Sequence, residues 1–234
     1  NHIKEMIISG ANIIDIGGES TRPGSKMVKE KLEIKRIKFV LDKFKRKFKK
    51  TCLSLDTRKS TVMLFGIKKG VDLINDVSGF NHDKNSLENL RKYKISKVLH
   101  HMQGTPSSMQ KNPKYKNVLL DIYDYFEKNL KTKLRDSKVI LDPGIGFGKT
   151  LKHNLTLISK ISLFHSLGLP ILVGTSRKRF INQISGQYDS KERIGGTLGS
   201  VIFLLSQGVQ IFRVHNVKEV KQGILVFKKI LINK

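Results

Sequence analysis

A chain of 234 residues with 38% hydrophobic content can bury one sizeable core, and residues 1–234 read as a single domain. No apolar run is long enough to span a bilayer, and the lone Cys52 excludes an internal disulfide framework. The formal net charge of +26 favours anionic ligands and weak adhesion to polyanions, but the lysines are scattered and form no basic tail, so a dedicated nucleic-acid role has no motif behind it.

The chain opens, without an initiator Met, inside a helical pattern (NHIKEMIISG). Short apolar runs then alternate with longer amphipathic stretches. Strands are expected at 12–17, 52–56, 72–76, 97–102, 138–142, 170–175 and 210–215, with helices near 28–49, 58–69, 85–93, 115–133, 153–166, 192–207 and 217–232. In the 28–49 helix Leu32, Ile37, Val40, Leu41, Phe44 and Phe48 form an apolar stripe, and lysines fill the solvated face. Cys52 falls at a strand start, where a buried inert thiol is expected. Gly10, Gly70, Gly168 and Gly208 each stand just before a strand, where a helix end must turn the chain.

Strands alternating with helices imply a parallel α/β sheet. Four of the seven strand runs finish in a charged or imidazole residue (Asp56, Asp76, Asp142 and His215), a fifth carries His101 next to its end, and another leads into Ser176-Arg177-Lys178. A doubly wound open sheet would use one or two such ends, whereas a closed barrel gathers all of them on one rim. A (β/α)8 barrel needs one strand more than these seven runs supply, and the opening helix suggests that the first strand lies before residue 1.

The stretch LDPGIGFGKT, residues 141–150, looks like a phosphate cradle but fits neither nucleotide pattern. A P-loop ending at Gly148-Lys149-Thr150 requires glycine where Pro143 stands, and the dinucleotide fingerprint requires glycine where Lys149 stands. What remains is a strand, a carboxylate at its end (Asp142) and a flexible glycine loop. Asp56 occupies the same place after another strand. Either carboxylate alone could equally cap the following helix.

The runs IIDIGGESTRPGS (13–25), LSLDTRKS (53–60), INDVSG (74–79), HMQGTP (101–106), LDPGIGFGKT (141–150), VGTSRK (173–178) and RVH (213–215) resemble, in order and spacing, dihydropteroate synthase. The resemblance implies a TIM barrel and a transferase of folate biosynthesis. Its reaction condenses 6-hydroxymethyl-7,8-dihydropterin diphosphate with p-aminobenzoate, giving 7,8-dihydropteroate and pyrophosphate. Asp56, Asn75, Asp142 and Lys178 would bind the pterin, whose guanine-like edge offers two parallel N–H groups to a carboxylate. Thr21, Arg22, Arg213 and His215 would hold the diphosphate, with a helix beginning near Arg177 as a further anion site. Pro23, Phe147 and Lys178 would shape the p-aminobenzoate pocket. Asp56, Lys178, Arg213 and His215 would carry the chemistry. The resemblance further implies Mg2+ held by an Asn upstream of residue 1, with no metal ligand in this chain, a homodimer, and a cytoplasmic enzyme with small-molecule substrates. Without the upstream segment the chain is expected to be unstable or inactive.

Four residues depart from or stand outside the pattern. His100 takes the place of a usual apolar residue beside His101; it could face the barrel interior or the helices, and a structural role is expected. Arg179 follows Lys178 where a small hydroxyl residue is common, and could pair with the p-aminobenzoate carboxylate or crowd it. Asn216 stands where Asp is common. Glu19 reads as a partner for a nearby cation rather than as an acid catalyst. Two other functions remain open on the residues. One is a pterin-binding barrel of another reaction, such as a methyltransferase domain, which needs no diphosphate site. The other is a nucleic-acid binder, suggested by charge alone.

Overall fold

The computed structural model describes residues 1–135 and 138–233. Seven strands follow one another in chain order: β1 (Ile13–Gly17), β2 (Cys52–Asp56), β3 (Leu73–Asp76), β4 (Ser96–His100), β5 (Val139–Asp142), β6 (Leu172–Val173) and β7 (Ile211–Phe212). They are flanked by α1 (His2–Ile8), α2 (Glu30–Lys47), α3 (Ser60–Lys68), α4 (Ser86–Arg91), α5 (Val118–Thr132), α6 (Leu151–Ser159), α7 (Arg179–Ser185), α8 (Ile194–Ser206) and α9 (Val217–Ile232). Strands β1 to β5 pair in sequence order, all parallel, and β6 pairs with β7. A parallel bridge between Leu141 and Ile171 joins the two groups. The architecture is that of a (β/α)8 barrel, with β1 and β7 as the ends of the described series.

Register and the two-residue period of a strand build the interior in layers. Cα partners include Gly17 with Asp56, Asp56 with Asn75, and His100 with Asp142. Lower on the same faces lie Ile13, Leu73, Val98, Ile140, Leu172 and Ile211, which pack together as a small apolar cluster. Below the polar rim, then, the barrel interior is lined by apolar side chains. Cys52 belongs to that lower layer and is only half-buried, because it faces the bottom mouth and not the helix layer. Burial still pushes its thiol pKa up, as an inert cysteine requires. Outside the sheet, two larger clusters pack strands against helices, one around Phe126, Leu141 and Phe164, the other around Ile14, Ile37, Leu55 and Phe44.

The element pattern matches the expected one with informative differences. The expected 153–166 helix divides into α6 and a 3-10 segment, Ile161–Leu167, that ends at Gly168 in the left-handed conformation. The short α7 is the helix expected to begin near Arg177. The expected strand 210–215 is regular only over β7, so Arg213 and His215 sit beyond its end; one further ladder bond, Arg213 N–H to the Val173 carbonyl at 3.1 Å, extends the pairing. In α2, Ile37, Leu41 and Phe44 are buried, but Leu32 is 45% exposed and its neighbour Glu33 is wholly buried. That exchange follows from an ion pair, not from apolar periodicity.

Candidate functional site

A cavity of about 1080 Å³ opens where the strands end. Thr21, Arg22, Pro23, Asp56, Asn75, Asp142, Phe147, Lys178, Arg213 and His215, the residues singled out in the sequence, all line it. His100 lines it too, while the exposed Arg179 does not. The cavity continues down the seam between β1 and β7, past Ile13, Phe212 and Val220.

Asp56 caps no helix. Its Oδ2 accepts from Arg213 Nη2 at 2.6 Å, and its Oδ1 is buried with no hydrogen-bond partner among the described residues. Asp15, absent from the residues singled out in the sequence, completes the group: Arg213 Nη2 lies 2.8 Å from Asp15 Oδ2, which also accepts from Asn75 Nδ2 at 3.3 Å. Asp15 Oδ1 and Asn75 Oδ1 are likewise buried and unpartnered among the described residues. The signal for Asp15 is a charged residue at the centre of the apolar run IIDIG, on the same face of β1 as Ile13. Burial pushes the Asp56 carboxyl up to about 7; Arg213 opposes that rise and the Asp15 charge adds to it. Burial works against charge on Arg213, but Asp15 and Asp56 outweigh it and raise the guanidinium pKa.

On the opposite wall, Asp142 Oδ1 accepts from Gly144 N–H at 2.8 Å. Burial raises the Asp142 pKa, against the pull of Lys178. The Lys178 ammonium donates to the Ile145 carbonyl and stands 4.9 Å from the centre of the Phe147 ring. Burial brings its pKa down to about 8, with Asp142 opposing and Arg213 reinforcing.

The glycine loop after β5 is no nucleotide cradle. Lys149 turns inward, wholly buried, and donates to the Phe147 carbonyl at 3.0 Å and to His101 Nδ1 at 3.1 Å. Thr150 N-caps α6 in a reciprocal capping box with His153. Gly144 is held at φ +68°, and a Cβ there would meet the His101 carbonyl oxygen at 1.9 Å. The loop's close approach to the strand below therefore requires glycine.

At the lip, His215 Nδ1 lies 3.0 Å from Ser176 Oγ. Burial, followed by the charges of Arg177, Arg213, Arg22 and Lys178, lowers the His215 pKa. Asn216 Oδ1 accepts two hydrogen bonds from Arg177, from Nε at 3.1 Å and Nη2 at 2.7 Å, so the Asn at this position still fixes the arginine. The helix expected near Arg177 is α7, which starts at Arg179 and spans seven residues; it is too short to carry an anion site of its own.

The loop after β1, which bears Thr21, Arg22 and Pro23, is anchored from beneath. Glu19 accepts from Arg58 Nε at 3.1 Å, Lys59 Nζ at 2.7 Å and the Val28 N–H at 2.7 Å. Lys59 also reaches Glu33 Oε2 at 2.6 Å, and Glu33 Oε1 accepts from Thr57 Oγ1 at 2.6 Å. Burial would raise the Glu19 pKa, but Lys59, the Val28 N–H and Arg58 together pull it down to about 2. Glu19 is thus ionised and partnered by cations, as its place in the turn suggested.

Comparison with known proteins agrees with this geometry. Residues 1–215 match the family model described as pterin binding enzyme. Among curated relatives, the dihydropteroate synthase of Escherichia coli (strain K12) is 38% identical over 234 residues, covering 98% of this chain and 82% of the relative. That of Clostridium beijerinckii is 39% identical, covering 93% and 80%. Among solved structures, Yersinia pestis dihydropteroate synthase with a sulfonamide drug superposes with a TM-score of 0.93 at 36% identity, covering all of this chain and 85% of that one. The Thermus thermophilus enzyme in complex with 4-aminobenzoate gives 0.91 at 34% identity, covering 98% and 88%.

Proposed function

The chain belongs to the pterin-binding enzyme family as a dihydropteroate synthase, the transferase that condenses 6-hydroxymethyl-7,8-dihydropterin diphosphate with p-aminobenzoate, and from that premise we propose how its own residues divide the work. The observation that carries the assignment of roles is the group of buried acceptors without partners among the described residues, Asp15 Oδ1, Asp56 Oδ1 and Asn75 Oδ1, at the wall of the cavity. Buried acceptors left unpaired cost roughly 1–3 kcal/mol each. A flat heterocycle carrying several N–H donors offsets that cost. Asp142 takes the amide-and-amine edge in a charge-assisted pair, Asn75 and Asp56 take the remaining donors, and Lys178 donates to the ring's carbonyl and nitrogen acceptors.

Arg213, His215, Thr21 and Arg22 hold the diphosphate at the lip. Their donors strengthen as negative charge develops on the bridging oxygen. The bond from the pterin methylene to that oxygen breaks, and its electron pair leaves with pyrophosphate. The pterin ring delocalises the resulting cation, and the Asp56 carboxylate stabilises it. The aniline nitrogen of p-aminobenzoate then forms the new C–N bond and sheds one proton. No side chain acts as a nucleophile. Phe147, Pro23 and the stem of Lys178 pack on the aniline ring. A methyltransferase-type pterin barrel would need no such cationic lip, which favours the synthase reading.

Mg2+ is the cofactor the resemblance implies. Among the described residues, however, no three His, Cys, Asp or Glu side chains come together to ligate it, and the steps above rest on the chain's own cations. We also propose a single-domain cytoplasmic enzyme that pairs as a homodimer. No helix among the described residues is long and apolar enough to cross a membrane. A groove lined by Leu151, Leu155, Ile158 and Phe203, with Leu155 and Phe203 exposed, supports a second copy at α6 and α8. The assay for the reaction is pyrophosphate release on mixing both substrates, expected in a 1:1 ratio with 7,8-dihydropteroate by the reaction's stoichiometry. Pterin diphosphate that binds but is never cleaved in the presence of p-aminobenzoate would refute the assignment.

A further inference from the structure

His100 is a departure from the family pattern that the roles above leave unused. It is 2% exposed, at the end of β4 and beside Asp142 in the register. Its Nδ1 lies 2.9 Å from the Val77 carbonyl oxygen. A carbonyl only accepts, so Nδ1 carries the proton and Nε2 presents a lone pair. Burial, with Lys149 and Lys178 nearby, holds its pKa well below the ordinary histidine value, which keeps the ring in that neutral form. The edge of Phe147, 4.6 Å between ring centroids, fixes the ring plane.

Nε2 stands 3.9 Å from Asp142 Oδ2, too far for a direct hydrogen bond. Asp142 has committed its other oxygen to Gly144 N–H. Two acceptors therefore face each other in a buried wall of the cavity, with no proton between them. The two N–H bonds of a planar amino group diverge by about 120°, which places two acceptors at about 2.9 Å from its nitrogen roughly 5 Å apart; a pair 3.9 Å apart lies within reach of one such group with modestly bent bonds.

We propose that His100 is a specificity residue of this enzyme, its Nε2 accepting a hydrogen bond from the exocyclic amino group of the heterocycle that Asp142 also binds. An apolar residue at this position can only pack against the ring. Histidine adds an acceptor and so a direct reading of the amino substituent, discriminating against heterocycles that carry hydrogen or oxygen there. The proposal rests on the pterin reading of the cavity.

The test is a two-by-two titration calorimetry experiment on the whole chain. Wild type and His100→Met are each titrated with 2-amino-4-oxopteridine and with 4-oxopteridine, which lacks the amino group. The amino group should gain wild type about three- to tenfold more affinity than it gains the variant, the size of one net hydrogen bond. His100→Gln, whose amide can serve Val77 with its N–H2 and the ligand with its oxygen, should recover part of that factor. A parallel readout needs no variant: in protein labelled with 15N-histidine, the His100 Nε2 resonance should shift on adding 2-amino-4-oxopteridine and stay near its free position with 4-oxopteridine. An amino-group gain equal in wild type and His100→Met, or an Nε2 signal that answers both ligands alike, overturns the role given to His100. Failure of wild type to bind either pteridine instead overturns the pterin reading on which it rests.

Discussion

Replacing Lys59 with methionine isolates the ion-pair group that anchors the loop after β1. Lys59 Nζ lies 2.7 Å from Glu19 Oε2 and 2.6 Å from Glu33 Oε2, and the three side chains are 6%, 3% and 0% exposed. Removing one member of a buried ion pair costs about 3–5 kcal/mol, because it strands the other charge. Glu19 retains Arg58 and the Val28 N–H, while Glu33 retains, among the described residues, only Thr57. The expected loss is therefore about 3 kcal/mol, set mainly by Glu33. For a chain of this size that lowers Tm by roughly 6–12 °C, measurable by differential scanning calorimetry. Adding Glu33→Gln should return most of it, since a neutral amide in the same place needs no cation. Because Glu19 tethers the loop carrying Thr21 and Arg22, the KM for pterin diphosphate should rise more in Lys59→Met than kcat falls. A Tm within a degree of wild type, or an equal fall with and without Glu33→Gln, would refute the reasoning.

Other outcomes follow from the same geometry. The pH profile of kcat/KM should be a narrow bell: activity falls as pH drops through about 7, where Asp56 gains a proton, and falls again as pH rises through about 8, where Lys178 loses one. Lys178→Met should abolish the alkaline limb, and a flat profile between pH 6 and 9, roughly a unit beyond either limb, would contradict both assignments. Glu19 has a depressed carboxyl pKa of about 2 against an unfolded value near 4.5, so its stabilisation is present above about pH 4.5 and lost as pH falls toward 2. In acid titrations followed by circular dichroism, Glu19→Gln should show a shallower loss of stability through that window. Gly144→Ala should cost more than the roughly 1–2 kcal/mol of a left-handed backbone alone, since its Cβ would strike the His101 carbonyl. Gly168→Ala, equally left-handed but with nothing within 4 Å, supplies the comparison, and equal losses by denaturant titration would show that the close approach is not what demands glycine at 144.

The fold was legible because barrel chemistry leaves local marks. Gly10, Gly70, Gly168 and Gly208 all adopt positive φ at the turns they were expected to make, and each strand expectation overlaps an observed strand. Boundaries were weaker where pairing is short. The run at 210–215 reads as a strand by composition, but only Ile211 and Phe212 have regular partners. Asp142 and Asp56 were visible as carboxylates at strand ends. Asp15 was hidden by its position in mid-run, where only the inward direction of alternate residues, fixed by register, reveals it. Glu33 was obscured by an opposite effect: helical periodicity predicts an apolar neighbour, and no local rule indicates that a cation from the loop after β2 arrives to neutralise it. Long-range partners of this kind, like the 157-residue separation between Arg213 and Asp56, become readable only in three dimensions.

The central claim is that one cavity joins a neutral-heterocycle pocket to a cationic clamp for the leaving diphosphate. The most direct test is the ratio of dissociation constants for 6-hydroxymethylpterin and its diphosphate in wild type and Arg213→Met. The diphosphate form should lose at least about tenfold in the variant, the size of a lost charge-assisted hydrogen bond, while the alcohol changes far less. Equal weakening of both ligands, or an unchanged ratio, would place the diphosphate away from Arg213 and contradict the account.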